Sequence, residues 1–255
     1  MEIIKASGGR VSFKKKKIER SVIRAGASKD LAKNIANQVE KKIHKEDNTK
    51  RILNLTLKSL KKRPEIAARY DLKRAIMSLG PSGFPFEEFF SQVLKHYGYK
   101  TQVGAHIKGK VITQEIDIIA EKKLKHMIEA KYHNSAGIHT DTKVAMYTYA
   151  RFLDIKSNPK QKFNSAWLVT NTRCTSQALR YAKGINLKVI GWSYPKKGNL
   201  QELIENEGLY PVTIFKGISK KIKEHLFRAK IVLAKDLANH STKELLQKTN
   251  LDKKT

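Results

Sequence analysis

Residues 111–132, VITQEIDIIAEKKLKHMIEAKY, constrain this chain more than any other stretch. Apolar and polar residues alternate there with the two-residue period of a strand, in two runs separated by a charged turn at Glu121 to Lys125. On the first arm Ile112, Ile116 and Ile118 share one parity, and Glu115 and Asp117 the other. On the second arm Ile128, Ala130 and Tyr132 alternate with Met127, Glu129 and Lys131. Folded as a β-hairpin, this pattern can place Asp117, Glu129 and Lys131 on one side. Residues two apart on a strand are roughly 6.5–7 Å apart. Two carboxylates brought together across a hairpin can hold a divalent cation. Acids and bases in alternation also describe a solvated strand face, so the hairpin by itself leaves both readings open.

The first reading suits phosphodiester cleavage. Mg²⁺ takes oxygen ligands and keeps several of its waters. Such waters are a source of nucleophile, while the cation neutralises charge on the phosphate. A lysine beside it can orient water or stabilise charge in the transition state.

An acidic residue ahead of a D-x-I arm (Asp117 to Ile119), followed about a dozen residues later by E-x-K (Glu129 to Lys131), resembles the PD-(D/E)XK nuclease superfamily. The similarity is greatest to its Mrr-type, restriction-endonuclease-like branch. Upstream, FEEFFSQVLKHYGY (86–99) resembles the first helix of that branch, and WLVTNTRCTSQALRYAKGINLKVIGWSYP (167–195) resembles its last strand–helix–strand segment. Ile116 rather than proline precedes Asp117. The resemblance implies Asp117 and Glu129 as ligands of Mg²⁺ or Mn²⁺ and Lys131 as the residue that positions water. It adds Glu87 as an assisting catalytic acid, because the branch carries its acidic residue directly after the phenylalanine, as in Phe86-Glu87. Glu115, on the same face as Asp117, is a further ligand or an outlying support. His133 is a candidate for contact with substrate phosphate, or a structural histidine.

The charge balance points to the same substrate. The chain carries a formal +29, and the excess is general: 22 Lys/Arg against 8 Asp/Glu in residues 1–80, 19 against 11 in 81–215, 11 against 4 in 216–255. A field of this sign attracts polyanions, nucleic acid first among them. No basic amphipathic helix with a bulky apolar face suggests a membrane surface. No apolar run approaches the length of a membrane span. MEIIKASGGR lacks the apolar core of a signal peptide, so the expected location is cytoplasmic. Cys174 is the sole cysteine, which excludes an intramolecular disulfide and leaves no basis for a cysteine zinc site.

Residues 1–80 open with a strand, EIIKAS, a Gly8-Gly9 turn and a second strand, RVSF. Helical stripes follow at Leu31, Ile35, Val39 and Ile43, then at Ile52, Leu53, Leu57 and Leu60, and at Ile66 to Leu79. Together with I-I-K, Phe13 to Ile18 and A-x-x-Y (Ala67 to Tyr70), the segment resembles an ATP-cone, the nucleotide-binding module of ribonucleotide reductases and their regulators. The resemblance implies ATP or dATP as an effector, with Lys5, Lys17 and Arg24 facing phosphates. Ala6 follows Lys5 where the family usually has arginine, removing one expected cation.

PSGFP (81–85) reads as a linker. In the helix that follows, Phe86, Phe89, Phe90, Val93, Leu94 and Tyr97 form the buried stripe. Glu87 falls about 90° from its centre and Glu88 nearly opposite, at the 3.6-residue period. In the helix expected over 139–155, Ala145, Met146, Tyr149, Ala150 and Leu153 make the stripe. Thr170 to Arg173 at a strand end suit either phosphate contact, with Arg173 on DNA, or a capped helix start.

Residues 216–255 read as two or three short helices resembling a helix-hairpin-helix unit, with Lys230 where glycine is common. Lys220, Lys221 and Lys230 are its DNA-binding candidates, and a helical packing or dimerising tail is the alternative. The expected fold is α/β: a small α+β cone over 1–80, an αβββαβ core over 81–215, and a helical tail over 216–255. The expected function is metal-dependent cleavage of DNA under nucleotide control, by a protein expected to form homo-oligomers. The alternatives are a nucleotide-responsive DNA-binding regulator with an inactive core, and an enzyme acting on RNA, junctions or damaged DNA.

Overall fold

The structure is a computed structural model and describes residues 1–251, so the last part of the expected tail, 252–255, lies outside the described residues. The chain forms two units: Met1–Ala75 with Ser135–Gly137, and Ile76–Asn134 with the chain from Ile138 onward. The helices of the expected tail belong to the second unit.

In the first unit β1 (Glu2–Ile4) and β2 (Arg10–Ser12) pair antiparallel, Ile3 opposite Val11. Gly8 has φ 82°, a left-handed conformation that favours glycine in so tight a turn. Four helices follow: α1 (Lys15–Arg24), α2 (Lys29–Glu40), α3 (Thr49–Ser59) and α4 (Pro64–Tyr70). Ser28 and Asn48 cap α2 and α3, each accepting a backbone N–H of the first turn. The apolar periodicity closes into one core of Ile3, Ile18, Val22, Ile35, Val39, Ile52, Leu60 and Ile66. The basic run Lys14–Lys17 spans the N-cap and the start of α1, where Lys15 pairs with Glu40 at 2.9 Å. Helix α5 (Leu72–Met77) runs on into the second unit.

The second unit begins with α6 (Phe84–His96). After it come β3 (Lys100–Lys108), β4 (Thr113–Glu121), β5 (Lys125–Lys131), the short β6 (His139–Thr140) and α7 (Thr142–Lys156). Next are β7 (Ser165–Thr170), the short β8 (Arg173–Cys174), α8 (Ser176–Gly184) and β9 (Lys188–Ile190). The main sheet runs β3-β4-β5-β7-β9, antiparallel across its first three strands and parallel across the last three. The expected αβββαβ order is present. Ile118 and Ile128 face each other across β4 and β5, both fully buried, while Ile119 and Met127 on the other parity are buried too. The sheet is therefore covered on both faces, as its parallel half requires.

Three expectations about faces are corrected. Ile112 is 59% exposed, because β4 starts one residue later and Ile112 belongs to the preceding loop. Glu88 is buried, not opposite the packed face. Helix α9 (Leu200–Glu207) closes over α6, with Tyr97 Oη donating to Leu203 O at 3.1 Å, and Glu88 accepts a hydrogen bond from Gln92 at 2.7 Å. In α7 the inward residues are Ala145, Thr148, Arg151, Phe152 and Ile155, whereas Met146, Ala150 and Leu153 face outward. The inner face of α7 includes an arginine, and an apolar count cannot place it.

The C-terminal segment adds a 3-10 turn (Val212–Ile214) and helices α10 (Lys220–Arg228), α11 (Ala234–Ala238) and α12 (Thr242–Thr249). Lys230 has φ 59°, so a lysine adopts the left-handed turn in which glycine is favoured. No helix among the described residues is long and apolar enough to cross a membrane.

Candidate active site

The site forms where two strands part. β4 and β5 are paired from Glu121–Lys125 to Ile118–Ile128. Beyond that point the Ala130 N–H donates to the Asp117 carboxylate, Oδ2, at 2.7 Å. β5 itself continues in register with β7, Glu129 beside Leu168 and Lys131 beside Thr170. Glu129 and Lys131 therefore share a face, and Asp117 stands at the mouth of the gap. Just beyond β5, the Asn171 side chain clasps the His133 backbone, accepting its N–H at 2.9 Å and donating to its carbonyl at 2.7 Å. That clasp anchors the chain two residues past Lys131.

Glu87 reaches the same place from α6. Its carboxyl is raised to about 7, first by burial and then by the charges of Asp117, Glu115 and Glu129. Burial and the Asp117 charge likewise raise Glu129 to about 7, against the pull of Arg151 and Lys131. Asp117 is raised by burial and by Glu115, and is held down by the Ala130 N–H, Arg151 and Lys131. Four carboxylates thus act on one another's protonation, a crowding that a cation relieves. Among the described residues no group of three or more His, Cys, Asp or Glu is gathered closely enough to enclose a metal. The donor set fits an ion that takes one or two carboxylates and completes its shell with water, as Mg²⁺ does.

The pattern of the sequence did not reveal Arg151. Its Nη1 donates to Glu129 Oε2 at 2.5 Å and its Nε to Gln114 Oε1 at 3.3 Å, with the guanidinium 5.1 Å from the centre of the Tyr147 ring. Gln114 donates in turn to Asp154 Oδ2 at 2.9 Å, and Asp154 also accepts the Val111 N–H at 2.7 Å. One chain of contacts thus links Glu129 to the loop ahead of β4. The available signal was the buried-face spacing of Ala145, Thr148, Phe152 and Ile155, which Arg151 flanks.

The other candidates are placed as follows. Glu115 is exposed on β4 and acts on Asp117 and Glu87 through its charge. His133 is half-buried, and its Nε2 is 3.0 Å from the Thr140 hydroxyl, which donates to Thr170. Burial, with Lys131 and His139 nearby, lowers its pKa. Thr170, Asn171 and Thr172 are buried and bonded, so they neither meet phosphate nor cap a helix. Thr175 caps α8 instead. Arg173 is exposed, opposite His139 in the small β6–β8 pair. Cys174 is pushed up to about 11 by burial, unsuited to nucleophilic work. Lys220, Lys221 and Lys230 are exposed on α10 and the turn after it.

In the first unit Lys5, Lys17 and Arg24 are exposed. Lys17 and Arg24, seven residues apart on α1, share a face. A concave surface of that unit lies elsewhere, around Asn48, Arg51, Asn54 and Lys58.

Comparison with known proteins matches three stretches of the chain. Residues 1–78 match the model of the ATP cone domain, residues 80–196 that of a restriction endonuclease, and residues 210–255 that of the AF1548-like C-terminal domain. The last covers the segment in which the helix-hairpin-helix resemblance was read. A protein of Archaeoglobus fulgidus described as uncharacterized is 38% identical over 156 residues, 61% of this chain and 87% of that protein. The crystal structure of AF1548, a protein described as of unknown function, is similar at a TM-score of 0.62 and 36% identity, over 68% of this chain and 91% of that one.

Proposed function

From a chain that belongs to the AF1548-like family and joins an ATP cone to a restriction-endonuclease domain, we propose a metal-dependent endodeoxyribonuclease under ATP or dATP control. The observation that carries the reading is the convergence of Asp117, Glu129, Lys131 and Glu87 at the point where β4 and β5 part. Asp117 and Glu129 are the carboxylates that would hold Mg²⁺ or Mn²⁺. Such an ion, when bound, lowers the pKa of water and offsets charge on the phosphate.

The remaining roles belong to the chain. Lys131, exposed at the end of β5, orients the attacking water and meets developing negative charge on the phosphate oxygens. Glu87, raised to about 7, is suited to exchanging a proton with that water near neutrality. The Ala130 N–H keeps one Asp117 oxygen fixed, so that the other is directed at the site. The basic helical tail over 216–255, Arg173 at the end of the sheet, and Lys220, Lys221 and Lys230 grip the duplex backbone without reading sequence. The cone over 1–80 senses nucleotide through Lys5, Lys17 and Arg24, and the core over 81–215 cuts. The cytoplasm is the place for such a protein, and a homo-oligomer its working form.

One observation favours a second reading, a nucleotide-responsive DNA-binding regulator with an inactive core. Arg151 already neutralises Glu129. Incubation with plasmid in Mg²⁺ and in EDTA, with and without ATP, separates the two. The nuclease cuts only in Mg²⁺, whereas the regulator binds the DNA, loses it as salt rises, and cuts in neither.

A further inference from the structure

A cavity of about 460 Å³ lies in the second unit, between the residues leading into α6 and helix α10. Phe84, Pro85 and Phe227 line it, together with Lys220, Lys223 and Arg228. The volume is within the usual range for a small-molecule site. Phe227 is buried, yet Phe84 is 45% exposed, a large flat ring left open at the cavity edge. Three cations face one carboxylate, Glu224, whose contact with Lys220 is a loose 3.9 Å.

This combination selects a ligand that offers both a flat apolar face and an anion. A nucleotide does so: its base stacks on an aromatic ring and its phosphate meets Lys or Arg. An acidic peptide would satisfy the cations and leave the ring uncovered. Position narrows the source further. Phe84 and Glu87 are three residues apart on α6, adjacent on one helix face and less than one turn apart along the axis. A base in the cavity would lie within one turn of α6 from Glu87, whose protonation feels the charge of Asp117, as expected of a nucleotide on a strand bound at that site.

We infer that this cavity receives a single unpaired nucleotide of a DNA strand, stacked on Phe84 and held by Lys220, Lys223 and Arg228. The substrate class is then duplex DNA carrying a bulged or otherwise unstacked nucleotide. The inference rests on the nuclease reading for the purpose it gives the cavity, and it names that enzyme's substrate. The binding itself does not depend on cleavage.

The test measures binding in EDTA, with the full chain and with its Asp117→Ala, Lys131→Ala double variant, so that a failure to cut cannot hide the result. The probes are a blunt duplex and the same duplex with one bulged 2-aminopurine, whose fluorescence falls on stacking. The expected result is at least tenfold tighter binding of the bulged duplex, with quenching. Phe84→Ala abolishes both the preference and the quenching while leaving the affinity for blunt duplex unchanged, and Phe84→Tyr restores them. Lys223→Gln weakens the bulged duplex more than the blunt one. Equal affinity of the unsubstituted chain for both duplexes would overturn the inference. So would a bulge preference that survives Phe84→Ala. Displacement of the 2-aminopurine signal by millimolar free ATP, in the absence of any bulge preference, would assign the cavity to a free nucleotide instead and refute the strand assignment.

Discussion

Replacing Arg151 with methionine tests how the site balances its charge. Methionine keeps a long apolar stem in the path of the arginine but removes the guanidinium from Glu129. The pair is nearly enclosed, its side chains 10% and 15% exposed. Breaking a buried pair from one side costs about 3–5 kcal/mol, since the remaining charge is uncompensated. Glu129 can shed part of that cost by taking a proton, so the low end, about 3 kcal/mol at pH 8, is expected. The pH dependence has a definite sign. Glu129 and Glu87 lie near 7, above the ordinary glutamate value of 4.5, so the folded, metal-free protein holds protons that the unfolded chain releases. The stability they contribute is present below about 4.5 and is lost as pH rises through 7. Without Arg151, Glu129 moves higher still, and the loss extends beyond pH 7. The deficit of Arg151→Met is therefore larger at pH 8 than at pH 6, where Glu129 is mostly protonated in either protein. At 2–4 °C per kcal/mol for a unit of this size, melting in EDTA falls by about 6–12 °C at pH 8 and by less than half of that at pH 6. Equal losses at the two pH values would show that Arg151 contributes only packing, and would refute the electrostatic account.

Three further perturbations follow from the same geometry. Glu87→Gln removes one of the crowded charges, so the metal-free protein melts higher at pH 8, by about 1 kcal/mol of stability, while Mg²⁺ stabilises it less than it does the unsubstituted chain. Gly109→Ala forces a methyl into the Asp154 carboxylate and to within 2.7 Å of Ile112 O; a loss of at least about 2 kcal/mol in urea unfolding is expected. Lys230→Gly relieves a lysine held at φ 59°, and thermal melting of the second unit should rise by an amount worth about 1 kcal/mol.

Much of this fold could be read from local patterns, and the site only in part. The alternation around Ile118 and Ile128 identified both arms of the hairpin, and their pairing is the register found. The protonation of Glu87 feels Asp117, but the helix angle that sets it apart from Glu88 misplaces Glu88, which is buried. The burial of Glu88 is not legible from its own helix, whose apolar stripe places it on the far side. Arg151 was missed for a related reason. It lies on the buried face of α7, and its partner Glu129 is on β5, far away in the sequence, so an apolar count passes over it. Thr170 to Thr172 look like a phosphate loop in one dimension. In three they are the buried hydroxyl and amide partners of Thr140 and His133. Where polarity is used inside the protein, periodicity has no vocabulary for it.

The central claim is that Asp117, Glu129 and Lys131 perform chemistry on DNA. Single-turnover cleavage of linear and supercoiled duplex in Mg²⁺, for the unsubstituted chain and the Asp117→Ala, Lys131→Ala double variant, tests it most directly. Loss of a residue of this kind from general acid–base or electrostatic catalysis slows cleavage by about 10²–10³-fold or more. The double variant is predicted to cut at least that much more slowly at unchanged DNA affinity. Equal rates for the two proteins, or no cutting by either while both bind DNA, would contradict it.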